Sequence, residues 1–430
     1  MKANELYDKI MLGAADDVLV GQCAIGEERL SEARSRMGKA VREFTELYGN
    51  RDVMLFSVGG RSEVSGNHTD HNCGKVLCAA VDLDIIAVAC RTDDGIVTVK
   101  SEGFDADVVT PDCIDEPCEK KFFTSGAIIA GMEKAFLDRG LKVGGLCAYT
   151  TSNVFKGSGL SSSAAFEVMI GNMLSHLYND GTVDNVEIAK SAQFAENVYF
   201  GKPCGLMDQT ACAVGGFIAI DFEDPAAPGI EKLDFDLRRM GYGLCIVDTG
   251  GNHADLNEDY ASVPAEMKAV AKLLGHSVLR ECGEEELISK ISAVRAVEGD
   301  RALLRALHFF GENRRVEKET DALRRKDIKE FFKVIRSSGL SSFCWLQNVY
   351  SAKNPREQGL SLALCLTEKF FGSECTDAAW RVHGGGFAGT IQVFVPTERI
   401  AEYKAYIEAV FGKGSCHVLS VRSAGAIRVM

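Results

Sequence analysis

A short run rich in glycine and serine, residues 157 to 165, leads directly into a helix that is apolar almost all round. The run reads Gly157-Ser158-Gly159-Leu160-Ser161-Ser162-Ser163-Ala164-Ala165 and follows a predicted strand, Leu146 to Thr151. The apolar residues of the helix are Phe166, Val168, Met169, Ile170, Met173, Leu174 and Leu177. A helix that is apolar on every face must be buried, so its N-terminus is held at a fixed place.

The start of this helix is suited to bind an anion. Free backbone N–H groups and the positive end of the helix dipole attract phosphate, and the glycines let the backbone approach a ligand closely. The run lacks the Gly-Lys-Ser/Thr ending of a P-loop and the third glycine of a dinucleotide fingerprint. An ordinary Gly-Ser turn closed by a serine N-cap explains the same composition. Taken alone, the run leaves both interpretations open.

The chain has 430 residues, which is more than one compact core usually holds, so we expect two domains. The best linker candidate is the proline-rich stretch that ends near Pro228. We therefore divide the chain into residues 1 to 228 and residues 229 to 430. Residues 1 to 33 form an extension whose role the sequence leaves open.

Charge and cysteine usage exclude several classes of protein. The formal net charge is −13, which argues against a nucleic-acid-binding surface. Fifteen scattered cysteines without a CxxC pair indicate reduced thiols and a cytoplasmic protein. The charged N-terminus is no signal peptide, and no apolar run reaches the roughly 18 residues that a membrane span needs. We expect no nucleic-acid or membrane partner.

Two polar segments carry candidate functional groups. Residues 59 to 72 contain Arg61, Asn67, His68 and Asp70, a set suited to grip a polyhydroxylated ligand, although a plain surface loop has similar composition. A predicted helix from about Val186 to Phe200 ends at Gly201-Lys202-Pro203. It carries Glu196, and Asp208 follows it.

Phosphoryl transfer needs an N–H cradle, a magnesium ion held by a carboxylate and a hydroxyl, a positive charge, and a group that orients the acceptor hydroxyl. The candidates are the run 157 to 165, Ser163 with Glu196, Arg61 and Asp208. Spacing alone does not select these carboxylates over the others in the chain.

Four segments, in order, resemble the galactokinase branch of the superfamily of galacto-, homoserine, mevalonate and phosphomevalonate (GHMP) kinases. Gly60-Arg61 through Asn72 resembles that family's signature Gly-Arg-Val-Asn-Leu-Ile-Gly-Glu-His-Thr-Asp-Tyr-Asn. The run 157 to 165 is similar to its phosphate loop, and residues 195 to 209 match a helix that ends in Pro-Cys-Gly-x-Met-Asp-Gln. His383 through Gly389 resembles its C-terminal glycine motif. The resemblance implies an α+β, two-domain GHMP kinase fold with the active site in the cleft between the domains.

The resemblance also implies roles for individual residues. Asp208 would orient or deprotonate the C1 hydroxyl of a sugar, and Arg61 would keep Asp208 ionised and neutralise developing charge. Ser163 and Glu196 would hold Mg²⁺ between the phosphates of ATP. The cofactor-binding residues for ATP would be Gly157, Ser158, Gly159, Leu160, Ser161, Ser162, Ser163 and Ala164. The residues lining the sugar would be Asn67, His68, Asp70, Gly205 and Tyr260, with Gly384 to Gly386 as a second backbone wall.

The chain departs from the family mainly on the sugar side. Asn67 stands where galactokinases carry a glutamate that contacts the sugar far from C1, and His71 replaces a tyrosine. The other replacements are Gly59 and Phe155 for prolines, Val263-Pro264 for paired arginines and His383 for a threonine. An amide donates as well as accepts, so hydroxyl recognition at Asn67 must change.

We therefore predict an ATP- and Mg²⁺-dependent sugar 1-kinase that converts galactose to α-galactose 1-phosphate. The alternatives are a 1-kinase for a related hexose such as N-acetylgalactosamine, and a non-catalytic sugar sensor. The expected partners are a small-molecule sugar and ATP, with the chain acting as a monomer or a weak oligomer.

Overall fold

The computed structural model describes residues 1–154, 159–251 and 256–430. Among these residues, twelve strands form two sheets. The strands are β1 (Met54–Ser65), β2 (Lys75–Arg91), β3 (Val97–Ser101), β4 (Ala106–Val109), β5 (Leu146–Ser152), β6 (Phe217–Asp221), β7 (Gly229–Leu233), β8 (Tyr242–Asp248), β9 (Ala379–His383), β10 (Thr390–Pro396), β11 (Cys416–Leu419) and β12 (Ala426–Arg428).

The helices in the described part of the chain pack on these sheets or on one another. They are α1 (Ala3–Met11), α2 (Asp16–Gly21), α3 (Leu30–Tyr48), α4 (Ser125–Asp138), α5 (Ser162–Tyr178), α6 (Asn185–Phe194), α7 (Met207–Val214), α8 (Asn257–Leu274), α9 (Glu284–Ser289), α10 (Ile291–Arg324), α11 (Ile328–Ser341), α12 (Gly359–Phe371) and α13 (Ile400–Phe411). None of them is long and apolar enough to cross a membrane.

The larger sheet has the strand order β12-β1-β2-β5-β3-β4, and β6 with β7 continues from β2. The apolar runs at residues 76–80 and 85–89 predict two short strands, but β2 is one strand that is buried over nearly its whole length. The apolar run at residues 53–58 predicts a short strand, but β1 begins at Met54 and continues to Ser65. The polar segment that follows Val58 is therefore a buried strand for its first half, not a surface loop.

Helices cover both faces of the larger sheet. On one face, α3 packs on β2 and β5 and joins α1 in a separate apolar core that includes Leu6, Phe44 and Val88. The extension of residues 1 to 33 thus helps to cover this face. On the other face, α5 packs on β1, β2 and α7, and most of its length is buried. This burial confirms the prediction made from its all-round apolar sequence.

The smaller sheet has the order β11-β8-β10-β9, with α12 and α13 packed on it. The helix α11 contacts both β9 of this sheet and β1 of the larger one, so the two sheets are joined through α11. Strand β7 begins just after residue 228 and pairs with β6 of the larger sheet, as β12 pairs with β1. The division near residue 228 stays a prediction. Both β7 and β12 follow residue 228 in the chain, and each pairs with a strand that precedes it.

Candidate active site

Arg61 and Asp208 form a paired guanidinium and carboxylate at the centre of the site. Arg61 lies on β1 next to an irregularity in the pairing with β2, and Asp208 lies in the first turn of α7. Nε donates to Oδ1 and Nη2 to Oδ2, each at 2.7 Å, which is the bidentate geometry of a strong charged pair. Burial alone would raise the pKa of Asp208, but the charge and hydrogen bonds of Arg61 outweigh it and the pKa lies below its ordinary value. Asp208 is therefore anionic at neutral pH.

The start of α5 is tied to this pair. The backbone N–H of Arg61 donates to the carbonyl of Leu160 at 3.0 Å, and its Nη1 donates to the carbonyl of Gly159. Ser161 has a left-handed backbone, with φ of 53°, and its hydroxyl donates to Asp208 Oδ2 instead of capping the helix. The glycine-serine run therefore meets the predicted catalytic carboxylate directly.

The other residues of the run differ in their exposure. Ser162, Ser163 and Ala164 are the first residues of α5, and the Ser163 side chain is exposed. Leu160 and Ala164 are buried and anchor the turn. Gly157 and Ser158 lie outside the described residues.

Glu196 is linked to α5 through Gln209. Its Oε2 accepts from Gln209 Nε2 at 2.8 Å, and its Oε1 accepts from Lys202 at 3.1 Å. The same Gln209 nitrogen donates to Glu167 Oε2 at 3.0 Å, so two buried carboxylates share one amide. Burial, and then the charge of Glu196, raise the pKa of Glu167 well above its ordinary value.

Glu167 is a site residue that the sequence analysis missed. Within the described residues its Oε1 is buried and has no hydrogen-bond partner. The signal was its position four residues after Ser163, which places both on one face of α5.

Asp70 and Gly205 lie side by side, as the resemblance implied. A Cβ on Gly205 would come within 2.8 Å of Asp70 Oδ2, so only glycine leaves the carboxylate in this position. The other oxygen, Oδ1, accepts from the backbone N–H of His71 at 2.9 Å. Asp70 therefore presents Oδ2 next to the turn that precedes Asp208.

The glycine motif that follows β9 of the smaller sheet accepts hydrogen bonds from three residues that the resemblance places at the sugar. The carbonyls of residues 384, 385 and 386 accept from Asn67 Nδ2 at 2.8 Å, His68 Nε2 at 2.9 Å and the Tyr260 hydroxyl at 2.8 Å, in that order. Burial lowers the pKa of His68 to about 4, so its ring is neutral at pH 7 and Nε2 carries the hydrogen. The motif is thus a wall of carbonyl acceptors that fixes these three side chains.

His383 begins this motif and is fully enclosed. Its Nδ1 lies 2.8 Å from the Thr390 hydroxyl, and among the described residues its buried Nε2 has no partner. Burial, and then the nearby charge of Arg61, lower the pKa of His383 to about 3. The ring is therefore neutral.

A buried carboxylate of α10 holds the backbone of the segment 60–72. Sequence reasoning did not find this carboxylate. Glu312 accepts from the Gly66 N–H at 3.1 Å and from Arg315 Nε at 2.7 Å. Burial would raise the pKa of Glu312, but Arg315, His308 and other charges lower it to about 2. One helical turn earlier, His308 Nε2 lies 3.1 Å from the carbonyl of Asn67. The signal in the sequence was a weak similarity to galactokinases at residues 305 to 308, one helical turn before Glu312.

Comparison with known proteins gives the same family in sequence and in structure. A family described as the GHMP kinases N terminal domain matches residues 126–216, and the galactokinase galactose-binding signature matches residues 42–91. A galactokinase of Streptomyces coelicolor is 31% identical over 407 residues, which cover 92% of this chain and 100% of that protein.

Two solved structures have the same fold. The crystal structure of Lactococcus lactis galactokinase complexed with galactose has a TM-score of 0.75 at 21% identity, covering 90% of this chain and 98% of that one. Methanococcus jannaschii mevalonate kinase has a TM-score of 0.60 at 14% identity, covering 86% of this chain and 98% of that one. These structures confirm the predicted α+β GHMP kinase fold.

Proposed function

Because this chain belongs to the galactokinase family and is a sugar kinase of that type, we propose that it transfers the terminal phosphoryl group of ATP to the C1 hydroxyl of galactose. The products are α-galactose 1-phosphate and ADP. The observation that carries the proposal is the bidentate Arg61–Asp208 pair, to which Ser161 at the start of α5 is bonded. It unites an anionic acceptor group, a fixed cation and a helix N-terminus.

Asp208 orients the C1 hydroxyl and takes its proton as the new O–P bond forms. A carboxylate with a lowered pKa is a weak base, so most of its effect is positioning of the nucleophile, which suits phosphoryl transfer. Arg61 keeps the carboxylate ionised and offsets the charge that develops on the transferred group. The bond between the terminal phosphorus and the bridging oxygen of ATP breaks, and ADP leaves.

The phosphates of ATP bind at the first turn of α5, against residues 157 to 164. Unpaired N–H groups at this turn and the dipole of a 17-residue helix favour negative charge there. Ser163 and Glu196 would hold Mg²⁺, since a hydroxyl and a carboxylate are oxygen ligands of the kind magnesium prefers. Glu167 Oε1, which has no hydrogen-bond partner among the described residues, is a further oxygen ligand of the same kind, because Gln209 joins Glu167 to Glu196. When bound, the ion neutralises the phosphate oxygens.

The sugar lies between the segment 60–72, which begins in β1, and the glycine motif. Asp70 accepts from its hydroxyls beside Gly205, while His68 and Tyr260 form the side of the pocket that the carbonyls of residues 384–386 fix. Asn67 lies behind His68 in the same carbonyl wall.

The proposal is tested by ADP release with Mg-ATP and galactose, N-acetylgalactosamine, glucose or mannose. We expect turnover with galactose and a product that NMR identifies as the α 1-phosphate. Preference for another hexose would show that galactose is not the acceptor. If none of the sugars raised ADP release above the rate with water alone, the kinase activity would be overturned and a sugar sensor favoured.

A further inference from the structure

The side chain of Asn67 has no hydrogen-bonding group left for a ligand. It is fully buried, and its Nδ2 donates to Glu63 Oε1 and to the Gly384 carbonyl, each at 2.8 Å. Its Oδ1 accepts from Asn348 Nδ2 at 2.6 Å and from the Ser342 hydroxyl at 3.4 Å. An amide offers two donor hydrogens and one acceptor oxygen, so a sugar hydroxyl would have to displace a protein partner.

Glu63, the partner of Asn67, keeps one oxygen free. Its Oε1 accepts from Asn67, whereas Oε2 bonds to none of the described residues. The residue is 8% exposed, and Oε2 is not closed off from solvent. A carboxyl oxygen in so enclosed a position is stabilised by any donor that reaches it, and a hydroxyl is such a donor.

The strand β1 aims Glu63 at the sugar side of the site. Arg61, Ser62 and Glu63 pair without interruption with Ala80, Ala79 and Cys78, so Arg61 and Glu63 lie on the same face of the strand. Two residues of a strand span about 7 Å. Arg61 holds the carboxylate proposed to orient the C1 hydroxyl, and the backbone of Glu63 lies about 7 Å farther along the strand from Arg61, a spacing comparable with the width of a pyranose ring.

The charge of Asp70, the carboxylate proposed to accept from the sugar, acts on Glu63. Burial raises the pKa of Glu63, and the negative charge of Asp70 acts in the same direction, while Arg381 and Arg61 lower it. Asp70 and Glu63 are thus two neighbouring acceptors, and a ligand that offers several hydroxyl donors satisfies both.

The signature quoted above explains why Glu63 and Asn67 occur together. That signature has asparagine at the position of Glu63 and glutamate at the position of Asn67, so this chain exchanges the two residue types. A glutamate at 67 would set one carboxylate oxygen, in the place of Asn67 Nδ2, against two acceptors, Glu63 Oε1 and the Gly384 carbonyl. The two positions must therefore change as a pair, which keeps one amide–carboxylate hydrogen bond.

We propose that Glu63 accepts a hydrogen bond from a sugar hydroxyl remote from C1, and that Asn67 positions Glu63 without contacting the sugar. This assignment rests on the proposed sugar kinase function, and it moves the acceptor of the site from residue 67 to residue 63.

The first test is Glu63→Gln, which keeps the size of the side chain and an oxygen for Asn67 but replaces the free Oε2 by a donor. The KM for galactose rises about ten- to hundredfold, as expected for loss of a hydrogen bond to a charged group. The value of kcat stays within about threefold and the KM for ATP is unchanged. Glu133→Gln is the matched control, because Glu133 is also a buried carboxyl but lies on α4.

Galactoses that lack one hydroxyl, at C2, C3, C4 or C6, identify the contact. For the sugar without the hydroxyl that binds Glu63, wild type and Glu63→Gln have the same kcat/KM, while the other three sugars keep the difference. A second test exchanges the pair: Asn67→Glu alone weakens galactose binding, and Glu63→Asn added to it restores part of the loss.

An unchanged KM for galactose in Glu63→Gln overturns the assignment, as does a loss that is equal for all four deoxy sugars. If the wild type phosphorylates no sugar, the proposed function fails, and calorimetric binding of galactose to wild type and Glu63→Gln still decides whether Glu63 contacts it. Melting temperatures of all variants within a few degrees of wild type establish that the fold is intact.

Discussion

Arg61 and Asp208 are joined by two hydrogen bonds of 2.7 Å although 147 positions separate them in the sequence. The guanidinium also bonds to the carbonyl of Gly159, and the Arg61 backbone N–H bonds to that of Leu160, so one residue connects β1, the start of α5 and the start of α7. Arg61 therefore sets the charge of the carboxylate and its distance from the helix proposed to bind phosphate.

Asp208→Asn removes the acceptor of the C1 proton and leaves the size of the side chain unchanged. We expect kcat to fall about 10²- to 10⁴-fold, the usual contribution of a positioned base. Galactose affinity, measured by calorimetry, changes little, because an amide still accepts a hydroxyl. Asp234→Asn, at a fully exposed carboxylate, serves as control and keeps full activity. Normal turnover by Asp208→Asn would show that another group orients the acceptor.

Arg61→Lys replaces two parallel hydrogen bonds by a single point charge. Part of the stabilisation of the Asp208 anion is lost, so the pKa of Asp208 rises and activity is lost at a higher pH than in wild type. The acid limb of kcat/KM against pH therefore moves to higher pH in the variant, so the ratio of variant to wild-type kcat/KM should fall as the pH decreases through that limb. A ratio that is constant with pH would mean that Arg61 does not control the ionisation of Asp208.

The fold was predictable where the distribution of apolar residues leaves one interpretation, as in α5, which is apolar almost all round and is buried over most of its length. It was not predictable in the second half of β1, where polar residues suggest exposure. These residues are buried because their partners come from distant parts of the chain: Gln392 Nε2 donates to the carbonyls of Glu63 and Val64 at 3.0 and 2.7 Å. No local pattern contains such a contact.

The candidate site shows the same limit. The resemblance named Arg61, Asp70, Gly205 and Asp208 as site residues; the structure places Arg61 beside Asp208 and Asp70 beside Gly205, and their roles stay predictions. The resemblance also put Asn67 among the residues that line the sugar. The Asn67 amide bonds to Glu63, Gly384 and Asn348, and the motif gives no sign of these contacts. Which partner a buried side chain chooses depends on the geometry of two sheets, which a motif does not encode.

His383→Thr tests a buried histidine where the family carries threonine. The folded pKa is about 3 against an ordinary value of 6.5, so below pH 6.5 the unfolded chain binds more protons than the folded one. Wild-type stability is complete above pH 6.5 and decreases as pH falls toward 3, with about 2 kcal/mol lost at pH 5 from this group.

In His383→Thr this part of the loss is absent, so the unfolding free energy from urea titrations drops less between pH 7 and pH 5. His276→Thr, at a histidine that is about one-third exposed, is the matched control. Equal pH dependence in wild type and His383→Thr would mean that the buried ring is not a source of acid sensitivity.

Gly205→Ala tests whether the position of Asp70 matters for the sugar. The new Cβ would lie 2.8 Å from Asp70 Oδ2, so the carboxylate must turn away and its hydrogen bonds to the sugar weaken. We expect the KM for galactose to rise about tenfold or more, since hydrogen bonds to a charged group contribute about 1.5 to 3 kcal/mol, while the KM for ATP stays the same. Gly21→Ala, where no atom lies within 4 Å of the added carbon, gives the background effect of the substitution. If both variants bind galactose like wild type, Asp70 is not an acceptor for the sugar and the pocket must lie elsewhere along β1.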